Sequence, residues 1–402
     1  MQASDYQSQT TGVKSYLTPV VFYALCYFFL FSYIAIIQGL LPLYFQTRDI
    51  SNSSYSIISL LGIVTWVFGG PVTQNLAHRY FSVRSLMLAA GICYVISIAG
   101  LSISSAPSLL GLFFAISMFS FAAAVSLIDT ETLHSDKTVP YEKIRLWGSL
   151  GFIVTAFGTG MSAGQLGATI ATQLGMLIPA VCFLILVYQN RALFPDLARY
   201  KFMPTQRQHW AWRALPQQYF LILAIVFLNW VSHQTLYIYL SIHLSDLGWS
   251  ARGITQAWML GVCSELVMFL LLPKIFQHVS FRACIILSML ITCIRWTAFS
   301  LSTDTNIILL LQVLHAFTFS MFYISSVKLS YRILPPEFRD RGQGYLTAAG
   351  SGAGSVVARL LLAVWTIYHP DNLHVQFLFF ISAVVAVIGS CMALALREHL
   401  PN

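Results

Sequence analysis

Charge is what this sequence has least of. Charged residues fill 9% of its 402 positions and only 14 are acidic, whereas 57% are hydrophobic. The mean hydropathy is +0.73. A soluble domain of this size does not tolerate a surface so poor in charge, so lipid is the solvent expected for most of the chain. Catalytic signatures are also missing: there is no HExxH, P-loop or GxSxG, and the histidines are scattered, which argues against an enzyme. The seven cysteines form no CxxC pair and have no metal-ligand spacing. Each sits inside an apolar run, as a small core residue does. No metal or cofactor is expected.

What the sequence does have is long apolar runs. Twelve of them, near 17–43, 54–76, 83–104, 107–133, 144–163, 168–190, 217–242, 251–274, 281–302, 306–333, 342–367 and 374–396, are each long enough to cross a bilayer as a helix. The first is too long for a signal-peptide core and lacks a clean cleavage site, so it is expected to remain as the first span. Between the sixth and seventh runs, 191–216 carries Arg191, Arg199, Lys201, Arg207, Arg213 and three prolines, and reads as a linker. The expected class is an all-α membrane protein: a six-helix bundle over 1–190, a cytoplasmic linker over 191–216 and a second bundle over 217–402.

The basic residues set the expected orientation. With the N-terminus inside, 18 of the 22 Lys and Arg fall in cytoplasmic segments, Arg48 and Arg252 fall outside, and Arg295 and Arg359 lie within spans. Such a bias in short loops places both termini in the cytoplasm. It also explains the net charge of +8 without nucleic acid. The halves repeat weakly: the loop after the second run opens with Gly70-Pro71 and carries Arg79 and Arg84, and the loop after the eighth opens with Pro273-Lys274 and carries Arg282. Matching halves around a linker suit a carrier that binds its solute at mid-depth.

Few polar groups interrupt the spans, and each is costly there. Glu265 lies about 21 Å into its span at ~1.5 Å per residue, where a carboxylate costs about 2.5 kcal/mol or more unless paired, hydrated or protonated. Arg295, His315 and Arg359 come out roughly 10–14 Å from the outer boundary by the same rise. Arginine keeps its charge, so it must face water, a carboxylate or an anion at such depth. Pairing of one arginine with Glu265 is as good a reading as a binding role. The surplus of cations over carboxylates points to an anionic solute. Asp129 and Glu131 face Arg145 across a loop, where a salt bridge could form an inner gate or a solvated ion pair. Asn229, His233 and Tyr237 fall at i, i+4 and form one polar stripe, as a cavity lining requires; interface anchoring is the alternative for the aromatic members.

The stretch Tyr141 to Phe152 (YEKIRLWGSLGF), SELVMF around Glu265, IRW around Arg295 and QVLHAFTF around His315 resemble, in order, the lactose permease, phenylpropionate transporter and nucleoside:proton symporter branch of the major facilitator superfamily. The resemblance implies the twelve-helix major facilitator fold and a substrate-binding role for Arg145, with Ser149 and Phe152 on the same helix. It implies binding or proton coupling at Glu265, and relates Arg295 and His315 to a proton-coupling cluster. The sequence departs from the pattern at Thr318, where the branch carries an acid, and at Phe152, where lactose permease stacks a sugar on Trp. The loop signature is degenerate, with His78 where Asp is usual.

These readings lead to a proton-coupled symporter of the inner membrane, a monomer, importing a small organic solute of the aromatic acid, nucleoside or sugar class. Arg145, Ser149, Phe152, Asn229, His233, Tyr237, Arg295 and Arg359 are the candidate substrate contacts. Glu265 and His315 are the candidate coupling groups, and Asp129 and Glu131 the candidate gate. The alternatives are an exporter in the same fold or a transporter-like receptor.

Overall fold

The computed structural model describes residues 17–134, 139–194, 215–370 and 373–397. Among them are twelve helices long and apolar enough to span a membrane, and no strand. We number them α1 (Pro19–Gly39), α2 (Asn52–Arg79), α3 (Val83–Ile103), α4 (Pro107–Leu133), α5 (Tyr141–Leu166), α6 (Ala168–Gln189), α7 (Gln217–Asp246), α8 (Ala251–Ile275), α9 (Phe281–Leu301), α10 (Thr305–Ile333), α11 (Gly342–Tyr368) and α12 (Val375–Leu394). Each coincides with an apolar run of the sequence. The first run ends early, because α1 breaks at Gly39 and a separate short helix, Leu41–Gln46, follows. Most of the basic linker, 195–214, and Lys137 lie outside the described residues.

Helix starts follow local chemistry. Ser82, Ser250 and Ser280 each accept a hydrogen bond from the backbone N–H three residues on, and Asp304 accepts from Asn306 and Ile307. These caps satisfy donors that a helix leaves open at its first turn. Large apolar side chains such as Leu270, Ile294 and Leu310 point outward, largely exposed. That is the arrangement expected where lipid, not water, is the neighbour. Of the cysteines, Cys26 and Cys284 are core residues, but Cys93 and Cys391 are exposed on apolar helix faces, where burial against lipid replaces burial in the core.

The weak sequence repeat has a structural counterpart. Arg84, two residues after the Ser82 cap, donates to the carbonyls of Arg191 and Phe194 just beyond α6. Arg282, two residues after the Ser280 cap, donates to the carbonyls of Leu396 and Leu394 at the end of α12. In each half a guanidinium on the third helix thus bonds carbonyls at or just beyond the C-terminal end of the sixth.

Close packing forms two compact units that interleave along the chain. One holds described residues of Met1–Ile34, Val64–Val154 and Gln173–Thr205; the other holds those of Ala35–Ile63, Thr155–Thr172 and Gln206–Asn402. The division therefore cuts α1, α2, α5 and α6 part-way along their length. In the first unit α5 lies directly on α1: a Cβ at Gly151 would overlap the backbone of Phe28. Gly151→Ala is expected to destabilise the protein by about 1–3 kcal/mol through overpacking, whereas Gly158→Ala, which meets nothing within 4 Å, should be neutral. Thermal unfolding of the two variants in detergent checks this, and equal behaviour would remove the contact as a constraint.

Candidate functional site

The second unit carries a chain of buried polar groups from three helices. Arg295 of α9 is fully buried. Its Nη1 donates to His315 Nδ1 at 3.0 Å and to Thr318 Oγ1 at 2.9 Å, and Nη2 reaches Gln312 Oε1 at 3.5 Å. His315 Nε2 lies 2.8 Å from Glu265 Oε1 on α8. A guanidinium has donors only, so Nδ1 of His315 must accept. In the neutral ring the proton then sits on Nε2 and points at the Glu265 carboxyl. The arginine therefore does not bond the carboxylate itself; the imidazole links the two.

Local structure explains how His315 reaches this position. Just after it α10 widens into a π-helical turn, Ala316–Met321, a distortion that recurs at functional sites. The turn rotates the helix and sets Thr318 under the guanidinium. Thr318, which replaces the acid of the resembling branch, is thus a neutral partner of Arg295. The planar group is further held 4.8 Å over the Trp296 ring.

The α7 stripe backs this cluster. Asn229 and His233 are buried, and His233 Nδ1 donates to the Asn229 carbonyl at 2.7 Å. The His233 ring packs 4.8 Å from Trp296 and 6.1 Å from His315. Tyr237 stacks on Trp258 and lies 6.3 Å from His315. Arg295 Nε, Gln312 Nε2, Asn229 Oδ1 and His233 Nε2 are buried with no hydrogen-bond partner among the described residues. Each such atom costs about 1–3 kcal/mol. Such a concentration of unsatisfied groups is unfavourable for folding and is characteristic of sites retained for another purpose.

Arg359, grouped with Arg295 by depth, turns elsewhere. Its Nε donates to Gln234 Oε1 at 3.0 Å on α7, and its Nη1 donates to the Ser59 carbonyl at 3.0 Å and Ser59 Oγ at 2.8 Å on α2. Tyr55 donates to the Ile238 carbonyl at 3.2 Å, Ser56 bonds Tyr239, and Ser241 donates to the Gln38 carbonyl at 2.6 Å. These bonds tie the Lys/Arg-poor ends of α1 and α2 to α7 and α11, which is why those ends belong to the second unit. Gln234, a polar residue of the seventh run that falls outside the Asn229, His233 and Tyr237 stripe, is the side chain that orients Arg359.

In the first unit the expected salt bridge between Arg145 and the α4 acids is absent among the described residues. Asp129 Oδ1 instead accepts from Tyr27 and from Tyr141 at 2.9 Å. The Arg145 guanidinium lies 3.9 Å over the Phe31 ring and 5.0 Å over Tyr27. Two phenols satisfy the carboxylate without ordering a long side chain, and stacking leaves the in-plane N–H edge of Arg145 directed away from the rings. Glu131 is buried. Phe152 is also buried, on the α5 segment packed against α1, and Ser149 is partly buried. No group of three or more His, Cys, Asp or Glu suited to a metal occurs among the described residues.

Twelve membrane-length helices, with Glu131, Arg295 and His315 buried within them, define a multi-pass helical membrane protein. Residues 20–388 match the model of the MFS_1 like family. The chain belongs to that family, within the major facilitator superfamily. A probable 3-phenylpropionic acid transporter of Escherichia coli (strain K12) is 27% identical over 211 residues, 52% of this chain and 55% of the relative. A maltose permease of Geobacillus stearothermophilus is 21% identical over 268 residues, 64% of each chain. The match thus spans less than two thirds of either relative. Among solved structures, the nucleoside transporter NupG superposes with a TM-score of 0.77 at 17% identity, covering 96% of this chain and 100% of that one. A D-xylose-proton symporter gives 0.69 at 16% identity, covering 94% and 97%. At these identities the structures establish the major facilitator fold.

Proposed function

We propose that this protein is a proton-coupled symporter of the cytoplasmic membrane that imports a small carboxylate-bearing organic solute by alternating access, with both termini in the cytoplasm. The observation that carries the reading is the Arg295–His315–Glu265 chain, buried at its arginine and histidine and partly exposed at its acid, in which a carboxyl accepts from an imidazole whose other nitrogen is held by a permanent cation. Such a group can gain and lose one proton without a charge moving into lipid, because imidazole and guanidinium stay in place. Glu265 is the proton carrier in this scheme, and His315 keeps it oriented. The stacked Arg145 supplies a planar donor edge for the solute's carboxylate. An aromatic acid is favoured among the solute classes, since the guanidinium face rests on the Phe31 and Tyr27 rings, with Phe121 packed behind Phe31, and because the Escherichia coli relative is named for 3-phenylpropionic acid. The linker between sequence halves acts as a tether.

Uptake into proteoliposomes under an inward proton gradient tests this. 3-Phenylpropionate is expected to accumulate, its primary amide to bind more weakly by a factor of about 10 or more through loss of a charge-assisted pair, and Arg145→Gln to erase that discrimination. Accumulation that is independent of the proton gradient, or runs outward, would overturn the symport reading. Equal handling of acid and amide by the wild type would overturn the carboxylate.

A further inference from the structure

A second set of unsatisfied groups lies between α9 and α10, on the side of the buried cluster that leads to the Lys/Arg-rich membrane end. Two contacts fix the register of this antiparallel pair. Arg295 bonds Thr318, and the Arg332 guanidinium lies 4.2 Å over the Phe281 ring. Phe281 precedes Arg295 by the same 14 residues by which Arg332 follows Thr318. The two helices therefore keep one register over about four turns. Midway, seven residues from each contact, Ser288 and Ser325 come to the same depth. A seven-residue step is about two turns, which keeps each serine on the face that its helix presents to the other. Both are fully buried.

Neither hydroxyl has a hydrogen-bond partner among the described residues, and neither does buried Ser330, five residues further along α10. Adjacent hydroxyls behave otherwise: Thr292 and Ser326 each donate to the carbonyl one turn back. The surroundings are the apolar core residues Ile285, Met289, Phe322 and Leu329. An unpaired hydroxyl buried there costs about 1–3 kcal/mol. Internal water is what satisfies such groups in folded proteins. The neighbouring seam between α8 and α10, by contrast, is apolar, built from Met268, Leu272, Ala316 and Met321.

We propose that Ser288, Ser325 and Ser330 hold a file of internal water between α9 and α10, through which the proton carried by Glu265 leaves toward the Lys/Arg-rich end. The inference rests on the proton-coupling reading above. The file begins at Thr318, which shares Arg295 with His315, the partner of the Glu265 carboxyl. From there to the serine pair is roughly 10 Å along the helix, a gap that about three waters span at ordinary hydrogen-bond lengths. A hydroxyl donates and accepts at once, so each takes up one proton and passes on its own. The O–H bond of the Glu265 carboxyl breaks, one O–H bond forms on water at the far end, and the serines are left as they began.

X-ray radiolytic footprinting in proteoliposomes, read by mass spectrometry, tests the water, because radicals formed from bound water oxidise the side chains beside it. Phe322 should be labelled despite its burial, whereas Phe379, stacked between Trp296 and Phe299, should not. Ser288→Ala/Ser325→Ala should lose the Phe322 label. The same double variant should slow gradient-driven uptake roughly 30-fold, the equivalent of two hydrogen bonds withdrawn from the file. Its counterflow and thermal stability should be retained, since exchange moves no net proton and alanine leaves no unpaired hydroxyl. An unlabelled Phe322 in wild type that still accumulates solute would overturn the file alone, and needs no variant to fold. Unchanged uptake by the double variant would do the same, and joint loss of counterflow and stability would make the serines structural. A labelled Phe322 in wild type whose uptake ignores the proton gradient would overturn the symport reading and the proton route with it.

Discussion

Glu265→Gln is expected to abolish proton-driven accumulation while leaving counterflow intact. The amide oxygen can still accept from His315 Nε2, which lies 2.8 Å from the carboxyl in the native protein, so the geometry of the cluster survives. What is lost is the proton. One proton carried per solute can drive about tenfold accumulation per pH unit, because 1.4 kcal/mol corresponds to a factor of ten. In the variant the internal to external ratio should therefore fall to unity, a total loss of concentrating power, with exchange of labelled for unlabelled solute preserved. A purely structural role predicts a different pattern. If Glu265 serves only to neutralise Arg295 through the imidazole, its removal leaves a buried cation uncompensated at a cost of about 3–5 kcal/mol. Accumulation, counterflow and thermal stability would then fall together. Normal gradient-driven accumulation by Glu265→Gln would falsify the assignment of Glu265 as proton carrier.

The second large effect concerns Arg359. Alternating access requires that the Lys/Arg-poor ends of α2 and of α7 and α11 separate in one half of the cycle. Two hydrogen bonds from Arg359 to Ser59 oppose that separation in this structure, while the bond to Gln234 on α7 orients the guanidinium. Each hydrogen bond from a charged donor is worth roughly 1.5–3 kcal/mol. Even one such bond lost corresponds to at least about a tenfold population shift. Arg359→Ala should therefore raise the thiol-labelling rate of a Ser56→Cys reporter on α2 by tenfold or more, and Arg359→Lys, which retains one donor group at the same place, should raise it less. Maximal uptake should fall because the return step is no longer favoured, while solute affinity changes little. Should Arg359 instead bind the solute, the same substitution would weaken affinity severalfold and leave the labelling rate unchanged. Measuring both in one preparation separates a clasp from a ligand.

The spans can be read from the amino-acid sequence alone. Whether a segment crosses a bilayer depends on its own composition over about 20 residues, so each of the twelve helices was visible as a run, and the serine and aspartate caps lay next to the residues they serve. It also determined which groups are costly: Glu265, Arg295, His315 and Arg359 were conspicuous because a charged or titratable side chain inside an apolar run is visible without knowing its neighbours. Their partners were not visible. Depth along an axis is a one-dimensional quantity, and it placed Arg295 and Arg359 in one layer. The rotation of each helix about its axis, fixed by packing against helices distant in sequence, sent one to His315 and the other to Ser59, 300 residues away. The π-helical turn at Ala316–Met321, which brings Thr318 beneath Arg295, is likewise a response to packing and carries no local signature. Asp129 drew the same distinction in miniature: charge alone suggested Arg145, but two tyrosine hydroxyls from α1 and α5 reach it, because satisfying a carboxylate with ordered phenols costs less conformational entropy than holding a long cationic side chain in place.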